Sequence, residues 1–121
     1  MFVPVSTEPT PEWPEPPYYA AILSTWHTGE DLEGYAEMGA KMIQAAESQP
    51  GYLGKESLDG PGGYQLSIVY YTTEEAIRQW REHAEHLVAQ RLGRDRWYEA
   101  YEVRIARVER SYRFRRSHTA D

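Results

Sequence analysis

The sequence predicts an α+β fold of four strands and two helices in the order β-α-β-β-α-β. Four segments are rich in apolar, aromatic and β-branched residues, as half-buried and buried strands are. Two longer segments between them repeat apolar residues every three or four positions, which is typical of amphipathic helices. Gly- and Pro-rich turn signals separate these segments. The 121 residues suffice for one domain with this pattern.

The first half of the fold begins with a strand at Tyr19–Trp26, an apolar segment bounded by turn residues. Thr28–Asp31 has the spacing of a capping box, which predicts that a helix begins there. The helix carries a stripe of Leu, Tyr, Met, Ile and Ala side chains, and Pro50–Gly51 ends it. A second strand is predicted at Tyr52–Leu58.

The second half begins with a turn at Asp59–Gly63, whose glycines predict a hairpin between the second strand and a third strand at Tyr64–Tyr71. A second capping box at Thr72–Glu75 predicts the next helix, which ends near Gly93. The last strand is predicted at Tyr101–Tyr112. This order is the split β-α-β, or ferredoxin-like, pattern, in which both helices pack on one face of an antiparallel sheet.

Proline separates the N-terminal segment from the rest of the chain. Residues 1–17 contain six of the eight prolines together with three glutamates, so we expect an extended arm. The arm is solvated or lies over the domain; the alternative is a PxxP-type ligand at Pro11–Pro14. The domain itself is expected at residues 18–112, followed by a polar tail at residues 113–121.

Both faces of the predicted sheet are apolar. The first strand carries Tyr, Ala and Leu on one face and Ala, Ile and Trp on the other, and the third strand is similar. Because the helices cover only one face, the other needs a different cover. We therefore expect a homodimer in which two sheets pack face to face. Ten Tyr and four Trp, against two Phe, fit such an interface or a pocket.

Composition excludes several classes of protein. The chain has no cysteine, which excludes a disulfide framework, a thiolate nucleophile and a Cys-type zinc site. The N-terminal residues lack the basic and apolar regions of a signal peptide, and no apolar run is long enough to span a membrane. A cytoplasmic protein without a membrane partner is expected. The net charge of −6 argues against a nucleic-acid partner.

Two segments resemble the antibiotic biosynthesis monooxygenase (ABM) family, whose members form dimeric α-β barrels. The first, at the first helix–strand junction, is Gln49–Gly54, with the sequence QPGYLG. The second, which runs from the third strand into the second helix, is Ser67–Trp80, with the sequence SIVYYTTEEAIRQW. The resemblance covers Tyr18–Tyr112 in element order. It implies the fold but not the reaction, because such proteins include quinone-forming oxygenases and heme-degrading enzymes.

The resemblance also implies the position of the pocket. Family members bind between the sheet and the helices, with a Trp of the second helix in the lining, and Trp80 matches that Trp. The heme-degrading branch carries an axial His about ten residues later, where this chain has Gln90, so heme is disfavoured. The quinone-forming branch carries an acidic Tyr about six residues after the Trp, where this chain has His86.

Acid–base chemistry is predicted on the helix that carries Trp80. His83 and His86 lie beside its apolar stripe, and an imidazole titrates near neutral pH, so either is a candidate general base. The structural alternative is that both are helix residues hydrogen-bonded to neighbouring glutamates. Three residues complete the predicted site as substrate-binding residues: Trp26, Tyr71 and Arg104. Arg104 is a candidate to hold an anionic oxygen, and the alternative is an ion pair between subunits.

The expected function is that of a cofactor-independent monooxygenase that oxidises an aromatic, polyketide-like or quinol molecule. A base deprotonates the substrate, the anion passes an electron to dioxygen, and recombination of the radicals gives a quinone. No metal is expected, because the pair His83 and His86 has no third ligand nearby in the sequence. Two alternatives stay open: a dimer that binds a small apolar ligand without turnover, and a heme-binding or heme-degrading relative.

Overall fold

The helices and strands follow one another in the predicted order. A computed structural model describes residues 15–90, with the backbone alone for 87–90, and residues 96–114 and 116. The elements are β1 (Tyr18–His27), α1 (Leu32–Ser48), β2 (Tyr52–Asp59), β3 (Tyr64–Tyr71), α2 (Glu74–Gln90) and β4 (Tyr98–Val108). Most of the predicted arm, most of the tail and the predicted helix end at Gly93 lie outside the described residues.

The four strands form one antiparallel sheet in the order β2-β3-β1-β4. In the central pair, Tyr19 lies opposite Tyr71 and Trp26 opposite Tyr64. Directly opposed residues share a face of the sheet. The odd-numbered residues of β1 therefore face the helices, and the even-numbered residues face away. The predicted ferredoxin-like α+β fold and the predicted division of β1 and β3 into two faces are confirmed.

Each helix begins at a different cap from the one that the sequence suggests. Asp31, rather than Thr28, is the N-cap of α1, and its Oδ1 accepts a hydrogen bond from the N–H of Gly34 at 3.2 Å. The Thr28 hydroxyl instead donates to a backbone carbonyl just before β4 at 2.7 Å. At α2, Thr73 accepts from the N–H of Ala76 at 3.1 Å. The capping boxes predicted the helices correctly, but tertiary contacts decide which oxygen caps them.

Strand β4 begins at Tyr98, three residues before the predicted Tyr101, and ends at Val108 rather than at Tyr112. Its length follows from its partner, because β4 pairs only with β1. A bulge in this pairing places Tyr98 opposite His27. The first residue of β1 lies opposite Val108, so no partner strand remains beyond that point. Tyr98 thereby joins the sheet at the end where β1 stops.

The core lies between the helices and the helix-facing side of the sheet. One cluster of buried side chains comes from both helices, β1 and β3, and consists of Ala21, Ala46, Val69, Tyr71, Ala76, Ile77, Trp80 and Ala84. Met38 and Trp97 form a second, smaller cluster. The indole N–H of Trp97 donates to the Asp31 carboxylate at 3.1 Å, which ties the residues before β4 to the start of α1.

The two segments that resemble the ABM family meet in space. Gly51 has a φ of 92°, and its carbonyl accepts a hydrogen bond from the N–H of Thr72 at 2.9 Å. A Cβ at position 51 would lie 2.7 Å from the hydroxyl oxygen of Thr72, so this turn requires glycine. The side chains of Gln49 and Gln79 are also hydrogen-bonded, at 2.8 Å. These contacts fix the start of α2 against the end of α1.

Candidate functional site

A cavity of about 380 Å³ lies between the helices and the sheet. This volume falls within the range of about 300 to 1,000 Å³ that is typical of small-molecule sites. A smaller cavity of about 60 Å³, beside β4, shares five of its lining residues. The residues that border both cavities are Leu23, Thr25, Met42, Trp80 and Tyr98.

Two polar atoms at the larger cavity are buried without a hydrogen-bond partner among the described residues. They are Nε1 of Trp80 and Nδ1 of His27. Trp80 is only 4% exposed, so water does not readily reach its indole N–H. Leaving a buried polar group unpaired costs about 1–3 kcal/mol, and native proteins keep few such groups. Because both residues line the cavity, their unpaired nitrogens are candidates for contact with a ligand.

The end of β1 and the turn before β3 hold His27 in place. The backbone N–H of His27 donates to the carbonyl of Gly63 at 3.0 Å. Gly63 has a φ of 79°, and a Cβ there would lie 3.0 Å from the carbonyl oxygen of His27 and 3.5 Å from its Nδ1. Glycine at this position thus leaves room for the imidazole. On its other side the imidazole packs against the ring of Tyr35 of α1, with 5.1 Å between ring centroids.

Two tyrosines extend this aromatic wall. The rings of Tyr35 and Tyr98 contact edge to face, with centroids 5.8 Å apart. Burial raises the pKa of Tyr35; a hydrogen bond with Thr25 opposes this shift, and the Asp59 carboxylate adds to it. Burial also raises the pKa of Tyr98 to about 12, with smaller contributions from Tyr35 and Tyr101. Both phenols therefore stay protonated at neutral pH and retain a hydrogen to donate.

Lys55 is the cation of the cavity lining. It lies on the helix-facing side of β2, directly opposite the buried Val69 of β3. Burial lowers the pKa of Lys55, and the negative charge of Glu47 on α1 partly opposes that shift. Lys55 forms no ion pair with any residue in the described ranges. A half-buried ammonium without a close counter-ion is thus available to a ligand.

Of the six predicted site residues, Trp80 alone lines the cavity. His83 and His86 are both exposed on α2, so their assignment as general bases of this site is not supported by their placement. Helix geometry gives the reason. At about 100° per residue, His83 lies about 60° from Trp80 on the side away from Ile77, and His86 about 120° away. The inward face of α2 is therefore filled without either imidazole.

The three predicted substrate-binding residues also lie away from the cavity lining. Tyr71 is fully buried, and its hydroxyl donates to the carbonyl of Ala46 at 3.0 Å, so it packs behind Trp80 as a core residue. Trp26 lies on the helix-free face of the sheet, where its ring contacts that of Tyr64. Arg104 lies on that same face, opposite Ile22 in the register, and pairs with Glu102 at 2.9 Å. The alternation of side chains along a strand thus places Trp26 and Arg104 on the face of the sheet opposite to the cavity.

The sequence carried a signal for the residues that were missed. His27 shares the parity of Leu23 and Thr25 along β1, and Lys55 shares that of Asp59 along β2. A polar or charged residue on the helix-facing side of a strand meets the interior rather than solvent. Such residues are candidates for a ligand site. What the sequence did not reveal is that His27 of β1 and Lys55 of β2 line one cavity, although β3 lies between their strands.

The described residues show no group of three or more His, Asp or Glu side chains arranged to hold a metal ion. The side chain of Gln90, which matches the axial ligand position of the heme-degrading branch, lies outside the described part of the chain. Neither α1 nor α2 has the length and apolar character needed to cross a lipid bilayer.

Comparison with known proteins identifies related chains, although no protein-family model matches. The chain is 44% identical over 101 residues to the uncharacterized protein YqjZ of Bacillus subtilis, a match that covers 84% of this chain and 88% of YqjZ. It is 36% identical over 98 residues to the jasmonate monooxygenase ABM of Pyricularia oryzae. That match covers 78% of this chain but only 45% of the fungal protein, so the chain spans less than half of that relative.

The same fold occurs in SnoaB of Streptomyces nogalater, a cofactor-independent oxygenase. The two structures superimpose with a TM-score of 0.60 over 87% of this chain and 100% of SnoaB, at 14% identity. This likeness concerns the fold, whereas the two relatives above are similar in sequence as well. Together with the converging motifs at Gly51 and Thr72, these matches show that the chain belongs to one family with YqjZ and has the ABM-domain fold, the dimeric α-β barrel fold.

Proposed function

We propose that the cavity oxidises an electron-rich aromatic molecule, a phenol or hydroquinone, with dioxygen and without a bound cofactor. The observation that carries this proposal is the pair of buried, unpartnered nitrogens on His27 and Trp80 at one cavity. A cofactor-free oxygenase needs a base, a donor for the resulting anion and an apolar aromatic slot. His27, Trp80 and the rings of Tyr35 and Tyr98 supply these three requirements.

The proposed reaction on a phenol is balanced without any further reductant. Nδ1 of His27 accepts the phenol proton, and the indole N–H of Trp80 donates to the phenolate oxygen. The anion transfers one electron to dioxygen, and superoxide then combines with the substrate radical at a ring carbon to give a hydroperoxide. Loss of water leaves a quinone. One oxygen atom thus enters the ring, and the other leaves as water with the two hydrogens lost by the substrate.

We further propose that two copies of the chain pack through their helix-free sheet faces. That face carries apolar side chains that the helices do not cover: Leu58 is 65% exposed and Trp26 is 37% exposed, and Ile22, Leu66 and Ile68 lie on the same face. Exposed apolar patches of this kind mark interaction sites. A second copy presents the same strands in the same twist, so two such faces are matched in shape.

Oxygen uptake with a panel of phenols and hydroquinones tests the activity. His27→Ala and Trp80→Phe are each expected to slow turnover by about 100-fold or more, since a general base contributes about 10²–10⁴ and a lost anion donor about 10²–10³. His83→Ala and His86→Ala should retain the wild-type rate. A loss of activity in either of these two variants, with His27→Ala fully active, would return the acid–base role to α2 and contradict the assignment.

Two other outcomes would replace the proposal with the alternatives that the sequence leaves open. If no compound in the panel is turned over while an apolar dye binds with one-to-one stoichiometry, the protein is a small-ligand-binding dimer. A heme titration that produces a stoichiometric Soret shift, lost in a variant of a cavity residue, would instead indicate heme binding.

A further inference from the structure

We propose that the ligand of this cavity is an aromatic carboxylate whose anionic group binds the ammonium of Lys55. This inference deepens the proposed function, because it uses the same cavity and adds the chemical class of its ligand. It depends on three features of Lys55: its position in the lining, its burial and its lack of a close counter-ion.

The position of Lys55 directs its side chain under the helices. It stands opposite Val69, which is 2% exposed, so this part of the sheet is dry. Ile43 and Ala46 of α1 also line the cavity. A cation in such surroundings loses hydration, which is why burial lowers the pKa of Lys55. An anion that enters the cavity would recover part of the lost solvation energy by pairing with it.

Glu47 is the rival explanation for this lysine. Its carboxylate acts on Lys55 electrostatically, but the two side chains do not form an ion pair. Glu47 is also exposed on α1, so water screens its charge. An exposed, unpaired carboxylate does not satisfy an ammonium on the inner side of the sheet. The cavity side of Lys55 is thus left to a ligand.

The charges at the two ends of the cavity give the ligand a direction. Asp59 lies four residues after Lys55 on the same face of β2, about 13 Å away at roughly 3.3 Å per residue. Asp59 accepts a hydrogen bond from the side chain of Gln65 at 3.2 Å, and it lies at the end where His27 and Tyr35 meet. A carboxylate is repelled at this end and attracted at the other. The ring system of the ligand then extends from Lys55 toward His27 and Trp80.

A single ammonium selects a monoanion rather than a phosphate. Phosphate sites in proteins gather several donors, from backbone N–H groups, arginine forks or a helix N-terminus. In the cavity lining the described residues supply one lysine and no arginine beside it. A carboxylate on an aromatic ring matches this combination of one positive charge and an apolar slot.

Isothermal titration calorimetry with 2-naphthoate and the neutral 2-naphthamide tests the proposal. The wild-type protein is expected to bind the carboxylate at least 10-fold more tightly than the amide, at low salt and pH 7. Lys55→Met, which keeps the length of the side chain and removes its charge, should reduce this preference to about 1 while still binding the amide. Lys55→Arg should retain a preference. The matched control is Lys41→Met, since Lys41 is the exposed lysine of α1, and it should behave as the wild type.

Equal affinity for the two probes, failure of both to bind, or a preference that survives Lys55→Met would overturn the proposal. Its failure is distinguishable from failure of the proposed function. Selective binding of 2-naphthoate without oxygen uptake by any phenol would sustain the ligand class and contradict the oxygenase. Oxygen uptake at equal kcat/KM with hydroxylated naphthoates and their neutral amides would sustain the oxygenase and contradict the proposed ligand class.

Discussion

Trp80 and His27 line one cavity, and the indole N–H of Trp80 and Nδ1 of His27 are both buried without a protein partner in the described part of the chain. Trp80 comes from the middle of α2 and His27 from the last position of β1. Each unpaired polar group destabilises the fold. If these two side chains served only to fill the core, we would expect apolar residues in their place or hydrogen-bond partners for both nitrogens. This pair is the reason why we propose a ligand that binds both residues.

Trp80→Phe separates the role of the indole nitrogen from that of the ring. Phenylalanine retains most of the packing against Tyr71 and removes the unpaired N–H, so we expect the free energy of unfolding to change by about 1 kcal/mol or less. Turnover should fall about 100-fold if the N–H donates to the substrate anion. Trp97→Phe is the control, because the N–H of Trp97 already donates to Asp31. That variant should lower the melting temperature and leave turnover unchanged; the opposite pattern would remove Trp80 from the site.

Gly63→Ala should displace the imidazole of His27. The added Cβ would come within 3.0 Å of the His27 carbonyl oxygen and 3.4 Å of its Cε1, at a φ of 79° that alanine rarely adopts. We expect a loss of about 1–3 kcal/mol in the free energy of unfolding, measured by urea titration. Gly62→Ala also has a positive φ, but nothing lies within 4 Å of its Cβ. It should be similarly strained yet leave ligand affinity unchanged, whereas Gly63→Ala should lower it.

Asp31→Asn should destabilise the protein at neutral pH but not in acid. The pKa of Asp31 is lowered, chiefly by the hydrogen bond from Trp97 and also by the N–H of Gly34 and the charge of Arg96. A lowered folded-state pKa means that the ionised carboxylate stabilises the fold above the ordinary pKa, and that this stabilisation disappears as pH falls through the lowered value. Asparagine also caps helices well through its one side-chain oxygen. The variant therefore keeps an acceptor for the N–H of Gly34, and it removes both the charge and the second acceptor, which the indole N–H of Trp97 uses.

Melting temperatures measured from neutral to acid pH provide the test for Asp31. The wild type and Asp31→Asn should differ at pH 7 and converge as the pH falls. Glu30→Gln, next to it and exposed, should match the wild type throughout. A constant difference between Asp31→Asn and the wild type across this range would contradict the assignment.

Buried tyrosines should make the protein unfold in alkali. Burial raises the pKa of Tyr70 and of Tyr98 to about 12, from an ordinary value of 10.0. Raised folded-state values mean that their contribution to stability is complete below about pH 10 and is lost as pH rises toward 12. In Tyr98→Phe we expect the alkaline loss of stability to be smaller by about 3 kcal/mol, since the shift is two pKa units and each unit corresponds to about 1.4 kcal/mol. Tyr112→Phe, at a residue that is 88% exposed, should lose stability in alkali to the same extent as the wild type.

The proposed dimer predicts that a charge on the helix-free sheet face will separate the two copies. Ile68→Arg places a charge at the centre of the helix-free sheet face, where Ile68 lies between Ile22 and Glu56 in the register. Sedimentation should then show a monomer, against a dimer for the wild type at micromolar concentration. Leu32→Arg is the matched control, because Leu32 is 56% exposed but lies on α1. A wild-type monomer, or a dimer unaffected by Ile68→Arg, would contradict the proposed interface.

The periodicity of the sequence predicted much of the fold and one residue of the site. The three-to-four-residue spacing on α2 turns Trp80 inward, and that placement needs only the geometry of a helix. The same geometry turns His83 and His86 outward, although their chemistry made them attractive as bases. Strand parity likewise separates Trp26 and Arg104 from the cavity, because the cavity lies on one side of the sheet. The direction of a side chain, as well as its chemistry, therefore decides whether it reaches the cavity.

The sequence by itself determined the element order, the two apolar faces of the sheet and the inward position of Trp80, because each depends on interactions between residues near in the chain. Tertiary structure decided the rest of the site. His27, Tyr35, Lys55 and Tyr98 come from four different elements, and only packing shows that they border one cavity. The pairing of β4 with β1 brings Tyr98 beside His27, and the close approach at Gly63 positions the imidazole. Such contacts join residues far apart in the chain, so no local pattern encodes them.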